Sequence, residues 1–218
     1  MTLSHDVHKQ LDSSFAELTT AFNAYRVKAV VHCSSQQLMF LSEVERRIRQ
    51  SNSLIRRLVQ YVDSSPDRAI WTISTLVQCG EQTGQRAFDL SQEVSDEVWL
   101  LTEAFYWNAF RTLDVIWGKG IKIKNGSSGL PGIGITAKRT LGVCRVRNQL
   151  IEHPECIGGS FSQGPSRCGP SIGSWREPDQ AEKEIDQGLY ANAVEWAEYV
   201  ARRLNVGISF WGDKTPTS

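Results

Sequence analysis

The chain reads VWLLTEAFYWNAFRTLDVIW at residues 98–117, inside a helix that the sequence predicts over about 86–117. Two apolar stripes run along this helix at helical spacings, one of them mainly aromatic. The first stripe comprises Val94, Val98, Leu101, Phe105 and Val115, and the second comprises Trp99, Tyr106, Phe110 and Trp117. A helix that is apolar on two sides packs between others, so this stretch predicts the central helix of a bundle.

Further helices are predicted on both sides of this central one. Apolar residues recur every three or four positions in most of these segments, and caps or proline mark several boundaries. The predicted segments are about 6–31, 35–62, 67–79, 135–153 and 178–204. No strand pattern extends beyond a residue or two. We therefore expect an all-α, mostly antiparallel bundle of five or six helices.

Two stretches rich in glycine and serine, 118–134 and 156–175, interrupt the helical pattern and are predicted to be long loops, the first of them mobile. We expect residues 1–80 to form a helical hairpin packed on a bundle of residues 81–205. Residues 206–218 are predicted to be a frayed tail, although Phe210 and Trp211 could dock. A single domain is an alternative organisation, since 218 residues suffice for one core.

Bulk composition points to a soluble cytoplasmic protein. The chain carries 24 basic and 24 acidic side chains, so net charge gives no reason for non-specific attraction to nucleic acid or membranes. No apolar run reaches the length of a membrane span. Five cysteines at wide spacings are most simply read as free thiols in a reducing compartment.

The segment RNQLIEH at residues 147–153, followed by Pro154, places charged and polar side chains at the end of a predicted helix. On a helical wheel Arg147 points from the middle of the apolar face, where a cation needs a carboxylate or an anionic ligand. His153 exchanges a proton near neutral pH, and arginine binds phosphate with a fixed fork of donors. Together they suggest phosphodiester chemistry. The alternative is a structural arginine paired with Asp114 or Glu103.

Two further sets of charged residues are candidates for ion pairing or for contact with RNA. Arg111 and Asp114 are polar exceptions in the central helix, three residues apart and able to form an ion pair. Arg49 and Arg56 fall on one flank of the second helix, where they could follow an RNA backbone. A solvated helix face is the alternative for these arginines, since acidic residues lie nearby.

No metal or other cofactor is predicted. His153, Cys156 and Cys168 lack the C-x2-C spacing and the fourth ligand of a zinc site. The glycine-rich segment 129–134 lacks the GK[ST] ending and the preceding strand of a phosphate loop, which favours a flexible linker.

Arg147, the adjoining Asn148 and His153, with five residues between the arginine and the histidine, resemble the Arg-x(4–6)-His signature of HEPN domains. The aromatic stretch 105–114 resembles the core helix of the same superfamily. The resemblance covers about residues 86–204 and implies an all-α bundle of the kind found in bacterial and archaeal toxins and antiviral nucleases.

The resemblance implies a metal-independent endoribonuclease that acts on RNA through attack of the 2′-hydroxyl and leaves a cyclic phosphate. His153 would be the general base or acid, Arg147 would bind the phosphate, and Asn148 would orient one of them. Six residues of helix separate Arg147 from His153 by about 9 Å along the axis and by about 120° around it. A homodimer with a shared cleft is therefore expected, and the resemblance implies an antitoxin or a defence-system partner. The alternative is a non-catalytic helical module for dimerisation or partner binding.

Overall fold

The computed structural model describes residues 5–64, 81–117, 130–133, 141–147, 161–166, 169–174, 183–184 and 188–212. Five helices account for most of these residues, which confirms the all-α prediction. They are α1 (His5–His32), α2 (Ser35–Ser64), α3 (Glu81–Trp117), α4 (Gly142–Arg147) and α5 (Leu189–Trp211). The helix predicted over 67–79 lies outside the described residues.

A small antiparallel sheet replaces part of the second predicted loop and the start of the last predicted helix. Its strands are β1 (Phe161–Ser166), β2 (Gly169–Ser174) and β3 (Lys183–Glu184), in the order β1-β2-β3. The prediction that no strand would form was wrong here, as was a last helix starting at 178. The strands are built mainly from glycine, serine and proline, so they lack the apolar alternation by which strands are recognised.

The turn between α1 and α2 is fixed by a reciprocal cap. The backbone N–H of Ser34 donates to Gln37 Oε1 at 2.9 Å, and the backbone N–H of Gln37 donates to Ser34 Oγ at 3.3 Å. This capping box satisfies donors that the first turn of a helix leaves unpaired. It sets the start of α2 at the position that the sequence predicts.

Neighbouring long helices run antiparallel, but α1 and α5 run parallel. Arg26 pairs with Glu45 across α1 and α2, and Arg57 pairs with Glu97 across α2 and α3. In the α1–α5 pair, Phe15 lies against Trp196 and Tyr25 against Trp211, so both helices advance in the same direction. The expectation of a mostly antiparallel arrangement fails for this pair, which joins the first and last described helices.

A buried polar cluster sets the register between α2 and α3. The Asn108 side-chain amide donates to the backbone oxygen of Arg47 and to Ser51 Oγ, both at 2.8 Å. Arg47 Nη1 donates back to Asn108 Oδ1 at 3.3 Å. Because a buried amide is costly without partners, this cluster penalises any slide of α3 along α2.

The end of α5 is part of the core, where a frayed tail was predicted after residue 205 with Phe210 and Trp211 as residues that could dock. Helix α5 continues to Trp211, whose side chain is 5% exposed and whose ring centroid lies 4.8 Å from that of Tyr25. Leu130 and Ile133 are also buried, and Pro131 O accepts a hydrogen bond from Tyr25 Oη at 2.9 Å. Residues 130–133 are therefore a packed turn, contrary to the prediction of a mobile linker there.

We expect Gly207→Ala to lower the free energy of unfolding by about 1–2 kcal/mol. A Cβ at this position would lie 2.6 Å from Tyr25 Cε2 and 2.8 Å from Ile133 Cγ1, and both side chains are buried. Overpacking of this kind outweighs the gain of roughly 0.5–1 kcal/mol that alanine brings to a helix interior. Urea unfolding followed by circular dichroism measures the change.

The neighbouring Val206→Ala is the control, since Val206 is 48% exposed and its truncation should change stability by less than about 0.5 kcal/mol. Equal stability of Gly207→Ala and the wild type would contradict the close packing of α5 on α1.

Candidate functional site

The six residues of α4 are anchored at their N-terminus by α5. The backbone N–H of Gly142 donates to Glu195 Oε2 at 2.8 Å, so a carboxylate caps the positive end of the short helix. Leu141 precedes the helix, and its carbonyl accepts from the amides of Cys144 and Arg145. Among the described residues, the helix predicted over 135–153 therefore begins at Gly142, and Leu141 before it is not helical.

A second contact fixes the position of α4 over α3 and α5. A Cβ at Gly142 would collide with the side-chain oxygen of Asn192, so the backbone of α4 approaches α5 as closely as only glycine permits. Asn192 Nδ2 donates in turn to Tyr106 Oη at 2.9 Å. Tyr106, Asn192 and Glu195 together hold the start of the motif helix against two longer helices.

Arg147 ends α4 with its side chain inside the protein. It is 5% exposed, and its Cζ lies 3.9 Å from the ring centroid of Phe110 and 5.4 Å from that of Trp107. Arg147 is buried together with Val143 and Cys144, which the sequence analysis places on the same face of the helix. Aromatic faces attract a guanidinium, the more so when water is excluded.

The predicted pair in the central helix forms beside Arg147. Arg111 Nη1 lies 3.5 Å from Asp114 Oδ2, and Asp114 is 7% exposed. The Cζ of Arg111 also lies 5.8 Å from the Trp107 ring centroid. The guanidinium groups of Arg111 and Arg147 therefore both lie over one tryptophan, and a buried carboxylate pairs with Arg111.

Several residues that the sequence singles out lie outside the described residues. Asn148, His153, Cys156 and Cys168 belong to this group, so the convergence of Arg147 and His153 on one phosphate stays a prediction. Among the residues that the structure describes, no three histidine, cysteine, aspartate or glutamate side chains lie close enough together to hold a metal ion.

Most arginines of α2 are paired with nearby carboxylates. Arg46 and Arg47 both lie within 2.7 Å of Glu43 Oε1, and the hydrogen bond from Arg46 holds the pKa of that carboxyl below its usual range. Arg57 pairs with Glu97 at 2.8 Å. These pairs support the reading of α2 as a solvated, charge-balanced face.

The two arginines predicted to follow an RNA backbone differ from each other. Arg56 Nη2 lies 2.9 Å from Asp12 Oδ1, and its Nε donates to Asn52 Oδ1 at 3.1 Å, at the rim of a groove of about 350 Å³ between α1 and α2. Arg49 is exposed and forms no ion pair with the described part of the chain. Surface pairs are weak, so a phosphate could displace Asp12 from Arg56.

Two features of the site were missed by sequence reasoning. Glu195 and Asn192 lie some 50 residues after the segment that they anchor, and nothing in their spacing signals that contact. Trp107 lies inside the aromatic stretch but belongs to neither of the two apolar stripes. A helical wheel places it on the solvent side, and it is 43% exposed.

Comparison with known proteins gives no relative: no protein-family model, no curated protein and no solved structure matches this chain. None of the described helices has both the length and the apolar character that a membrane crossing requires.

We expect Glu195→Ala to destabilise the protein by about 1–2 kcal/mol, because it removes the acceptor that caps α4. Glu195→Gln should cost less, since it keeps an acceptor and loses only the charge. Thermal unfolding measures both. Asn205→Ala, at an exposed position of α5, serves as the control. Identical melting of all four proteins would show that the cap does not hold α4.

Proposed function

We propose that this protein is a metal-independent endoribonuclease of the HEPN type that acts in the cytoplasm. The single observation that carries the proposal is the enclosed guanidinium of Arg147, at the end of the motif helix and against the aromatic face of α3. An arginine binds phosphate with a fixed fork of donors, and the adjoining segment supplies an amide and a histidine.

The chemistry assigns one role to each motif residue. His153 accepts the proton of the RNA 2′-hydroxyl, whose oxygen then forms a bond to the adjacent phosphorus. Arg147 stabilises the charge that gathers on the non-bridging oxygens. The bond from phosphorus to the 5′-oxygen breaks, and the proton that His153 accepted is transferred to that oxygen, which restores the neutral imidazole. The products are a 2′,3′-cyclic phosphate and a free 5′-hydroxyl, and Asn148 orients the phosphate or the imidazole.

The cellular setting that fits this activity is a toxin or an antiviral effector, with RNA as target and a partner protein as antidote. The 24 basic and 24 acidic side chains, and the ion pairs along α2, argue that RNA is held at local contacts and not by a general positive charge. Cys33 carries a free thiol, in keeping with a reducing cytoplasm.

We expect the purified protein to cleave labelled single-stranded RNA in the presence of EDTA, and His153→Ala to reduce the rate at least about 100-fold. Arg147→Lys should reduce it at least about 10-fold, because lysine keeps the charge but loses the planar fork. Arg145→Ala is the matched control, since Arg145 is an exposed arginine on the same helix. End-group analysis should find the cyclic phosphate.

Folding must be measured with the same variants. Arg147 is buried on Phe110, so its replacement lowers stability as well, whereas the thermal midpoints of Arg145→Ala and wild type should agree. Absence of cleavage by the folded wild type on a panel of RNAs would contradict the enzyme.

A second candidate, a non-catalytic helical module, is favoured by one observation. The 3.9 Å stacking of Arg147 on Phe110 joins α4 to α3 and would stabilise the bundle without any ligand. Under this reading Arg147→Lys lowers the melting temperature, His153→Ala has no effect on partner binding, and no RNA is cleaved. The cleavage assay therefore separates the two candidates.

The last expectation under this proposal concerns assembly. If the site is composed from two chains, a mixture of Arg147→Ala and His153→Ala proteins should regain up to about a quarter of the wild-type activity per dimer. That recovery follows from random pairing, which leaves one intact composite site in each mixed dimer. Activity of the mixture is measured after co-refolding. A monomeric protein with full activity at micromolar concentration would overturn the shared site.

A further inference from the structure

Trp107 is the exception in the most buried part of α3. Its neighbours Phe105, Tyr106, Asn108 and Ala109 are all buried, yet Trp107 keeps 43% of its surface exposed. The hydrogen bonds of Asn108 to Arg47 and Ser51 fix the rotation of α3 and so hold the preceding side chain, Trp107, outward. A single exposed apolar residue is ordinary on a protein surface, so exposure alone indicates nothing.

The second observation is the charge around this ring. The Cζ atoms of Arg147 and Arg111 lie 5.4 Å and 5.8 Å from its centroid. Arg111 follows Trp107 by one helical turn, and its side chain is 44% exposed. The Asp114 carboxylate that steadies Arg111 is itself buried, so the surface beside the ring presents a guanidinium.

We infer that Trp107 is a stacking platform for an unpaired nucleobase, which displaces the half-exposed Arg111 guanidinium from over the ring so that Arg111 contacts the phosphate next to that base. The inference rests on the proposed action on RNA and names the part of the strand that the site recognises. Exposed aromatic rings bind the bases of single strands, while arginine binds the intervening phosphates. A base-paired strand keeps its bases stacked on each other and cannot offer this contact, so the site selects single-stranded RNA.

Charge also orients the bound strand. Glu103, one turn before Trp107, is partly exposed and repels phosphate, whereas Arg111 lies one turn after it and attracts phosphate. The backbone of the bound nucleotide therefore lies toward the Arg111 side of the ring. A second copy of the chain is the competing occupant of this surface, and the oligomeric state of the variants distinguishes it from RNA.

The test is a double-mutant cycle, in which the side chain at position 107 and the base of the oligonucleotide are each removed and the binding affinity is measured. A labelled single-stranded 2′-O-methyl RNA is used because it lacks the attacking hydroxyl and is not cleaved. Fluorescence anisotropy gives its affinity for wild type, Trp107→Phe, Trp107→Ala and Leu100→Ala. Leu100 is the matched control because it lies two turns earlier on the same face of α3, is 61% exposed and has no aromatic ring on which a base could stack.

We expect Trp107→Ala to weaken binding by about 5- to 150-fold, Trp107→Phe to retain most of the affinity, and Leu100→Ala to match the wild type. A series of oligonucleotides with one abasic nucleotide at successive positions completes the cycle. At one position the missing base should weaken binding to the wild type but leave binding to Trp107→Ala unchanged. Thermal melting of each variant accompanies the titrations.

Three results would overturn the inference. Equal affinity of wild type and folded Trp107→Ala for every oligonucleotide excludes a base on this ring. Equal binding of duplex and single-stranded RNA removes the selectivity. Conversion of a wild-type dimer to a monomer by Trp107→Ala, with no change in RNA affinity per site, assigns the surface to a second copy.

The cleavage assay distinguishes failure of the proposed nuclease activity from failure of the proposed stacking site. Cleavage by the wild type that is unaffected by Trp107→Ala leaves the enzyme standing and overturns the stacking site. Trp107-dependent binding without any cleavage supports the stacking site and contradicts the enzyme.

Discussion

The burial of one guanidinium constrains the arrangement of α3, α4 and α5. A charged side chain taken from water costs several kcal/mol unless its surroundings replace the lost solvation. For Arg147 the aromatic faces of Phe110 and Trp107 provide part of that replacement, at distances that require α4 to sit close above α3. The close seating is possible because Gly142 has no side chain and because Glu195 caps the helix from α5. Loss of any of these three contacts would leave the cation in a less favourable setting.

Helix α3, which packs against Arg147, also determines how the other helices pack together. It contacts α2, α4 and α5, as expected for a helix with apolar residues on two sides. Asn108 fixes its register on α2, while Tyr106 and the backbone of Ala109 bond to Asn192 and Trp196 of α5. Polar groups buried with all their partners restrict the number of alternative packings more sharply than apolar contact alone. The aromatic side of α3 is therefore presented to α4 in one orientation.

Charge in this protein is distributed in local pairs. Arginines of α2 are matched by carboxylates of α1, α2 and α3, which leaves little unbalanced positive potential along that surface. Around Trp107 the balance differs, because Arg111 is exposed while its partner Asp114 is buried. Under the proposed function this contrast directs an RNA strand toward the end of the motif helix.

The sequence by itself determined the features that depend on local periodicity and local caps. It predicted the long helices, the central place of α3, the buried direction of Arg147 and the Arg111–Asp114 pair, since each follows from spacings within one helix. Only the tertiary structure decided the parallel contact of α1 with α5, the burial of Trp211, the sheet of β1 to β3 and the cap from Glu195. These depend on residues far apart in the chain or on backbone pairing that glycine and serine do not signal. These features are stabilised by contacts that exist only once the helices have packed, so no pattern within a single segment predicts them.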